Sequence, residues 1–313
     1  MAKRPNRSIS QGSLFEPDAP SDAARPTQET DFRFSDSNLS LGTSAFHATG
    51  WVGSFYPKGL KPADYLSYYS TKFDALEVDS TFYRTPSVST VQNWYAKTPK
   101  HFVFAVKVPQ VITHEKVLVD CEHDLGDFLR TMWCNLKEKL GPMLFQFGYF
   151  NRYQFKTQDD FLALLLPFLS NLPKEYRFAV EIRNKTWLNQ EFLGRLRKLN
   201  VALALTDTSF MPRPWELQKP LDLVTADFAY VRWLGNRKEI ETHTTTWDKT
   251  IIDRKDELNQ WAEIIRNLVL EKKLRKIFAF ANNHYAGHAP TTVKLFWDLW
   301  EKRNETLGGH SLI

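Results

Sequence analysis

Eight polar residues offer most of the chemistry in this sequence: Glu77, Lys107, Gln146, Glu181, Arg183, Asp207, Arg232 and Asn282. Each closes, or stands just past, a short apolar run: A-L-E77-V-D, F-V-F-A-V-K107, G-P-M-L-F-Q146, F-A-V-E181-I-R183, V-A-L-A-L-T-D207, Y-V-R232 and I-F-A-F-A-N282. A charge at such a place is costly to bury unless a partner or a ligand uses it. In the stretch D-A-L-E-V-D-S-T-F-Y, strand alternation puts Ala75, Glu77 and Asp79 on one side and Leu76 and Val78 on the other. Carboxylates mixed with Lys and Arg suit proton transfer on a polar or phosphorylated ligand. Glu77, Lys107, Glu181 and Asp207 form the expected catalytic set. His114, Gln146, Arg183, Arg232, Asn282 and Asn283 are expected to hold the ligand. His114, in I-T-H-E, has two readings of equal weight, proton transfer or a loop contact to backbone. The competing structural reading is that these charges pair only with each other and tie the strand ends together.

His114, His284 and His288, with Glu77, Glu181 and Asp207, are of metal-ligand type. However, the chain has no H-x-H or H-E-x-x-H spacing and no close carboxylate pair. A structural metal is therefore not expected and no particular cofactor is implied, while an active-site divalent ion stays open. Trp51, Tyr56, Phe82, Tyr83 and Trp233 are expected either to wall the pocket or, singly, to fill the core beneath it.

The elements that must position these residues alternate. Strand patterns fall at 39–44, 75–79, 102–107, 143–147, 177–183, 201–207, 228–233 and 277–282. Helical spacing falls at 62–72, 87–98, 124–140, 159–172, 189–199, 253–273 and 290–302. Pro167 is expected to kink or shorten its helix, and Asn189 to cap the next. Strands apolar on both faces, eight in number and separated by helices, predict a (β/α)8 TIM barrel. An open doubly wound sheet fits less well, since no Gly-rich phosphate loop follows the first strand. In a barrel all the polar strand ends meet on the C-terminal face, where catalytic groups gather. The domain is expected over 38–303, with a disordered N-terminal tail over 1–37 and a short C-terminal tail over 304–313.

The chain has 313 residues, a formal net charge of +5 and two cysteines. The basic balance lies in the body, since residues 1–36 are slightly acidic. That is compatible with a phosphate-bearing or nucleic-acid partner, and equally with ordinary solubility. Cys121 and Cys134 match no zinc or redox spacing and read as reduced thiols of a cytoplasmic protein. No run is apolar enough to span a membrane, and the basic residues near the N-terminus are not followed by the apolar stretch of a secretory signal. Within the tail, Gln11-Gly12-Ser13-Leu14-Phe15 resembles the Q-x-S/D-L-F peptide with which bacterial DNA-processing proteins bind the replication sliding clamp. Leu14 and Phe15 would fill an apolar pocket while the Gln11 amide contacts its rim; a chance match is the alternative.

The runs G42-T-S44, W51-V-G-S-F-Y56-P and E77-V-D-S-T-F-Y83 together resemble the YecE-like family, domain of unknown function seventy-two. So do F-A-V-K107, I-T-H114, G-P-M-L-F-Q146, A-V-E181-I-R183, Y-V-R232 and N282-N-H-Y-A-G287-H-A. The resemblance covers roughly 39–300 and implies a (β/α)8 barrel without implying a reaction. Ala45-Phe46-His47, Phe147-Gly148-Tyr149 and His284 depart from the family's usual runs, which bears on the pocket rim.

Three readings follow. The chain is an enzyme, of hydrolase, phosphodiesterase or isomerase type, acting on a polar and phosphorylated or sugar-like ligand. In it Glu77 or Glu181 is the acid or base, Lys107 and Arg232 stabilise developing negative charge, and Arg183 and Gln146 position the ligand. Alternatively it is a DNA-processing or repair accessory recruited to the clamp, although it lacks the dense His and carboxylate ligands of barrel nucleases. Or it is a module that binds a ligand or nucleic acid without turnover. The partners implied are a small polar or phosphorylated ligand, the sliding clamp and DNA, with no membrane.

Overall fold

The computed structural model describes Asp36 and residues 38–306. The Gln11, Leu14 and Phe15 peptide lies outside the described residues, as does the rest of the expected N-terminal tail apart from Asp36.

Eight parallel strands alternate with helices. The strands are β1 Leu39–Thr43, β2 Ala75–Val78, β3 Val103–Lys107, β4 Leu140–Gln146, β5 Phe178–Glu181, β6 Ala202–Thr208, β7 Ala229–Gly235 and β8 Ile277–Ala281. The covering helices are α1 Tyr65–Lys72, α2 Val88–Ala96, α3 Glu122–Leu136, α4 Gln158–Ser170, α5 Gln190–Lys198, α8 Lys255–Leu270 and α10 Ala289–Thr306. Three short helices, α6 Pro214–Leu217, α7 Arg237–Ile240 and α9 Asn283–Ala286, lie in the connections that follow β6, β7 and β8. Backbone ladders run in the order β1-β8-β7-β6-β5-β4-β3-β2. This is the TIM barrel expected from the alternation of patterns.

Among the described residues no backbone ladder joins β1 to β2, and Tyr69 of α1 bridges that seam. Its hydroxyl accepts from Thr43 N at 2.8 Å and lies 3.1 Å from Ala75 O, to which it donates. The two strands come so close that a Cβ on Gly42 would lie 1.9 Å from Ala75 O. Only glycine fits there.

Local chemistry sets several boundaries. Asn189 accepts from Phe192 N at 2.9 Å and caps α5, and Thr157 forms a capping box on α4. Pro167 sits inside α4 without ending it. The helix expected to reach residue 140 stops at Leu136, where Lys137 turns the chain out with φ 51°. That frees Leu140 to begin β4 early. The last helix runs on to Thr306, into the stretch expected to be a tail.

The barrel interior is a cluster of small and large apolar side chains. Ala75, Ala105, Leu144, Ala179, Ala202 and Ala204 face Phe228, Tyr230, Phe278 and Phe280. The small residues of β2, β3, β5 and β6 leave room for the rings of β7 and β8, so the interior is filled rather than open.

Candidate functional site

Alternation along the strands turns this core into a site. Two residues beyond an inward-facing core residue, seven strands place a polar one: Glu77 after Ala75, Lys107 after Ala105, Gln146 after Leu144 and Glu181 after Ala179. Thr206 after Ala204, Arg232 after Tyr230 and Asn282 after Phe280 complete the set. They share the inward side of the barrel and approach its C-terminal mouth.

At the floor of the mouth Arg232 joins three acids. Its Nε and Nη2 donate to Glu77 Oε1 at 3.1 and 2.7 Å, Nη1 donates to Glu181 Oε2 at 2.7 Å, and Nη2 reaches Asp79 Oδ1 at 3.0 Å. Tyr230 donates to Glu77 Oε2 at 2.6 Å, and Arg183 forms an ion pair with Glu181 Oε1. Glu77, Glu181 and Arg232 are 0%, 1% and 2% exposed, so this bridge is closed to solvent. Burial pushes the Glu77 carboxyl above its ordinary value against the pull of Arg232, and the Asp79 charge adds to the rise. Burial would raise Glu181 too, but Arg183 and Arg232 together hold it below the ordinary range. Their surroundings thus push the two carboxyls in opposite directions.

Above the bridge the groups are more open. The helical turn Asp79–Phe82 follows β2 directly, and Thr81 fixes it across to β3. Its hydroxyl accepts from Lys107 N at 3.1 Å and lies 2.7 Å from the carbonyls of both Val78 and Lys107. This sets Phe82 beneath Lys107, whose Nζ lies 4.0 Å from the ring centroid and 3.9 Å from Asp79 Oδ1. Burial lowers the Lys107 pKa; Asp79 opposes the change and Arg232 adds to it. His114, on the wide helical turn Val111–Glu115, meets the same Phe82 ring edge-on at 5.0 Å, with its Nδ1 2.8 Å from Thr113 Oγ1. Burial, then the charges of Lys107 and Arg183, lowers its pKa and so favours the neutral imidazole. The Arg183 guanidinium lies over the exposed ring of Phe210, 4.9 Å from its centroid. Gln146 borders this group with its amide turned to Phe147 O.

Other expected site residues have different neighbours. Asp207 has outward parity and sits beneath the helices, not in the mouth. Its carboxylate accepts from Trp261 Nε1 at 3.0 Å, Tyr285 OH at 2.9 Å and Arg213 Nε at 3.1 Å. Thr206, not Asp207, shares the inward face of β6 with Ala202 and Ala204. Asn282 donates to Ser44 Oγ at 2.8 Å and caps α9 through His284 N at 2.9 Å. Asn283 Oδ1 accepts from Ala289 N at 2.9 Å and Trp51 Nε1 at 3.3 Å. Both asparagines are thus engaged in holding the loop after β8. Among the described residues, no three His, Cys, Asp or Glu side chains gather as a metal-holding group. Of the aromatics, Trp51, Tyr56 and Trp233 are core, Phe82 lines the mouth and Tyr83 is 72% exposed.

Asp79, Tyr230 and Phe210 also belong to this region and were not in the expected set. The alternation that pointed to Glu77 carried Asp79 with it. Tyr230 reads as an ordinary core aromatic, and Phe210 as a loop residue, until the barrel closes around them.

A family model described as "Protein of unknown function DUF72" matches residues 40–311. The UPF0759 protein YecE of Escherichia coli K12 is 29% identical over 119 residues, 38% of this chain and 41% of that protein. The UPF0759 protein YunF of Bacillus subtilis is 27% identical over 151 residues, 46% of this chain and 52% of that protein. The matched part thus spans about half the length of these curated relatives, or less. A DUF72 family crystal structure from Thermotoga maritima superimposes with a TM-score of 0.64 at 26% identity, covering 86% of this chain and 99% of the other. Another, from Enterococcus faecalis, gives 0.62 at 19% identity over 84% and 95%, a likeness of fold.

Proposed function

The chain belongs to the DUF72 family, and from that premise we propose that the barrel mouth is an acid/base active site for a small anionic molecule, with a phosphorylated one fitting best. The observation that carries this is the state of Lys107. It is 9% exposed, and its nearest acid oxygen is 3.9 Å away. Among the described residues its ammonium donates no hydrogen bond. A nearly buried ammonium with unused donors is costly unless an incoming anion takes them.

The roles follow from access. Lys107 and Arg183 hold the anion and stabilise negative charge as it develops. His114, biased toward the neutral imidazole, takes or returns the proton. Asp79 keeps Lys107 charged. Glu77 and Glu181, expected to be the acid and base, have their oxygens engaged by Arg232, Tyr230 and Arg183. They act here as positioning residues that fix the two guanidinium groups. Such a set serves an isomerase-type proton transfer or the hydrolysis of a phosphate ester.

Thermal-shift titration with sugar phosphates, nucleotides and inorganic phosphate tests the site. A concentration-dependent rise in Tm that Lys107→Met abolishes and Asp207→Asn preserves is expected. A flat response to the whole panel, or one that Lys107→Met leaves intact, removes the proposal. The engagement of Glu77 and Glu181 by Arg232, Tyr230 and Arg183 favours a second reading, in which the mouth binds its ligand without turnover. Phosphorus NMR of the stabilising ligand, incubated with the protein, separates the two.

A further inference from the structure

Four aromatic side chains among the described residues are exposed: Tyr83 at 72%, Tyr149 at 69%, Tyr153 at 86% and Phe210 at 54%. All four lie on loops that follow strands, and so on the C-terminal face. Three stand on one sector of that face, the loops after the neighbouring strands β4, β5 and β6, residues 147–157, 182–189 and 209–213. These loops hold Arg152, Lys156, Arg183, Lys185 and Arg213 and contain no Asp or Glu. Arg183 and Arg213 are paired with Glu181 and Asp207. Arg152, Lys156 and Lys185 are exposed and none reaches a carboxylate in an ion pair among the described residues, although the Lys156 charge acts on Asp160 at the start of α4. Arg152 lies over Tyr153, 5.4 Å from the ring centroid, and Arg183 over Phe210. Between the loops after β5 and β6 opens a cavity of about 430 Å³, lined by Lys185, Thr186, Ser209, Phe210, Met211 and Pro212.

We propose that this sector is a docking surface for single-stranded DNA. Exposed rings give up hydration readily to a flat, apolar face, and unpaired bases supply such faces, whereas a duplex hides them in its own stack. Cations among the rings offer partners to the phosphates between stacked bases, and guanidinium groups over aromatics extend the stacking platform. A neutral sugar would use the rings without needing the cations. A folded acidic protein would use the cations without needing flat rings turned outward. DNA is chosen over RNA because the Gln11–Phe15 sequence resembles a clamp-binding peptide, which would bring the chain to DNA. The surface shares Arg183 and Phe210 with the mouth, but Tyr149, Tyr153, Lys156 and Lys185 have no part in the chemistry proposed there.

The test is fluorescence anisotropy of a labelled oligothymidylate titrated with the full-length protein. Tyr153→Ala and Phe210→Ala are each expected to weaken binding about tenfold, within the range of one lost base stack. Lys156→Glu with Lys185→Glu is expected to weaken it further and to flatten its dependence on salt. Leu270→Ala, at an exposed position on the end of α8 away from these loops, should bind as the wild type does. Far-UV circular dichroism confirms that each variant is folded. Equal affinity for a duplex of the same length, tighter binding of oligouridylate, or affinity unchanged in both aromatic variants would overturn the proposal. So would an absence of binding by the wild type at low salt.

Discussion

Arg232 meets Glu77 through two hydrogen bonds to one oxygen, Nε to Oε1 at 3.1 Å and Nη2 to Oε1 at 2.7 Å, across 155 residues of chain. Both side chains are withdrawn from water, and the same guanidinium goes on to Glu181 and Asp79. The barrel mouth therefore rests on a desolvated ion network whose members cannot be removed singly without leaving charge behind.

Arg232→Met should destabilise the protein by about 3–5 kcal/mol, because the buried Glu77 carboxylate loses its counter-charge and Glu181 is left with Arg183 alone. Combining it with Glu77→Gln should recover part of that loss, since less charge is then stranded. Urea unfolding of the single and double variants gives both numbers. A double variant no better than Arg232→Met alone would mean that Glu77 is neutral in the native protein already.

Glu77 should give stability an unusual dependence on pH. Burial raises its folded-state pKa above the ordinary 4.5. Its contribution is therefore fully present below the unfolded value and is lost as pH rises through the folded pKa. Glu181, held low, contributes above the ordinary value and loses that contribution as pH falls through its folded pKa. Urea midpoints compared between wild type and Glu77→Gln, from about pH 5 to pH 8, should show the wild-type advantage shrinking as pH rises. A difference that grows with pH contradicts the raised pKa.

Tyr69→Phe removes the hydroxyl that stands in for a ladder bond between β1 and β2. Thr43 N loses its buried acceptor and Ala75 O its donor. A loss of about 1–3 kcal/mol is expected. Hydrogen exchange should locate the damage, with faster exchange at Thr43 N and little change at β5. Uniform acceleration throughout the barrel would mean that the seam opens only with global unfolding.

Asp207→Ala should weaken the fold and spare the mouth. Trp261, Tyr285 and Arg213 all donate to that carboxylate, and a loss on the order of 3 kcal/mol is expected from stranding them. The folded variant should respond to stabilising ligands as the wild type does. A ligand response lost together with Asp207 would return that residue to the binding machinery.

What could be read along the chain was whatever depends on near neighbours. Apolar runs of strand length, helical spacing between them and polar residues at the run ends are local properties, and they sufficed for the barrel and for the strand ends at which its polar residues gather. In β2 the alternation was clean, with Leu76 and Val78 against Glu77 and Asp79. In β6 it was not: Ala202, Ala204 and Thr206 alternate with Leu203, Leu205 and Asp207, and both faces of a barrel strand are apolar. Nothing local says which set turns inward, so Thr206 rather than Asp207 faces the interior only by the register of β6 against β7. Closure of the barrel made the remaining choices. It brought Arg232 between Glu77 and Glu181 and put Tyr230 on Glu77, which withdrew two expected catalytic carboxylates from solvent. It left Lys107 and His114 at the mouth, sharing one phenylalanine ring. Whether a charged side chain is buried and paired, or open to a ligand, depends on side chains from distant strands, and those meet only when the sheet curls round on itself.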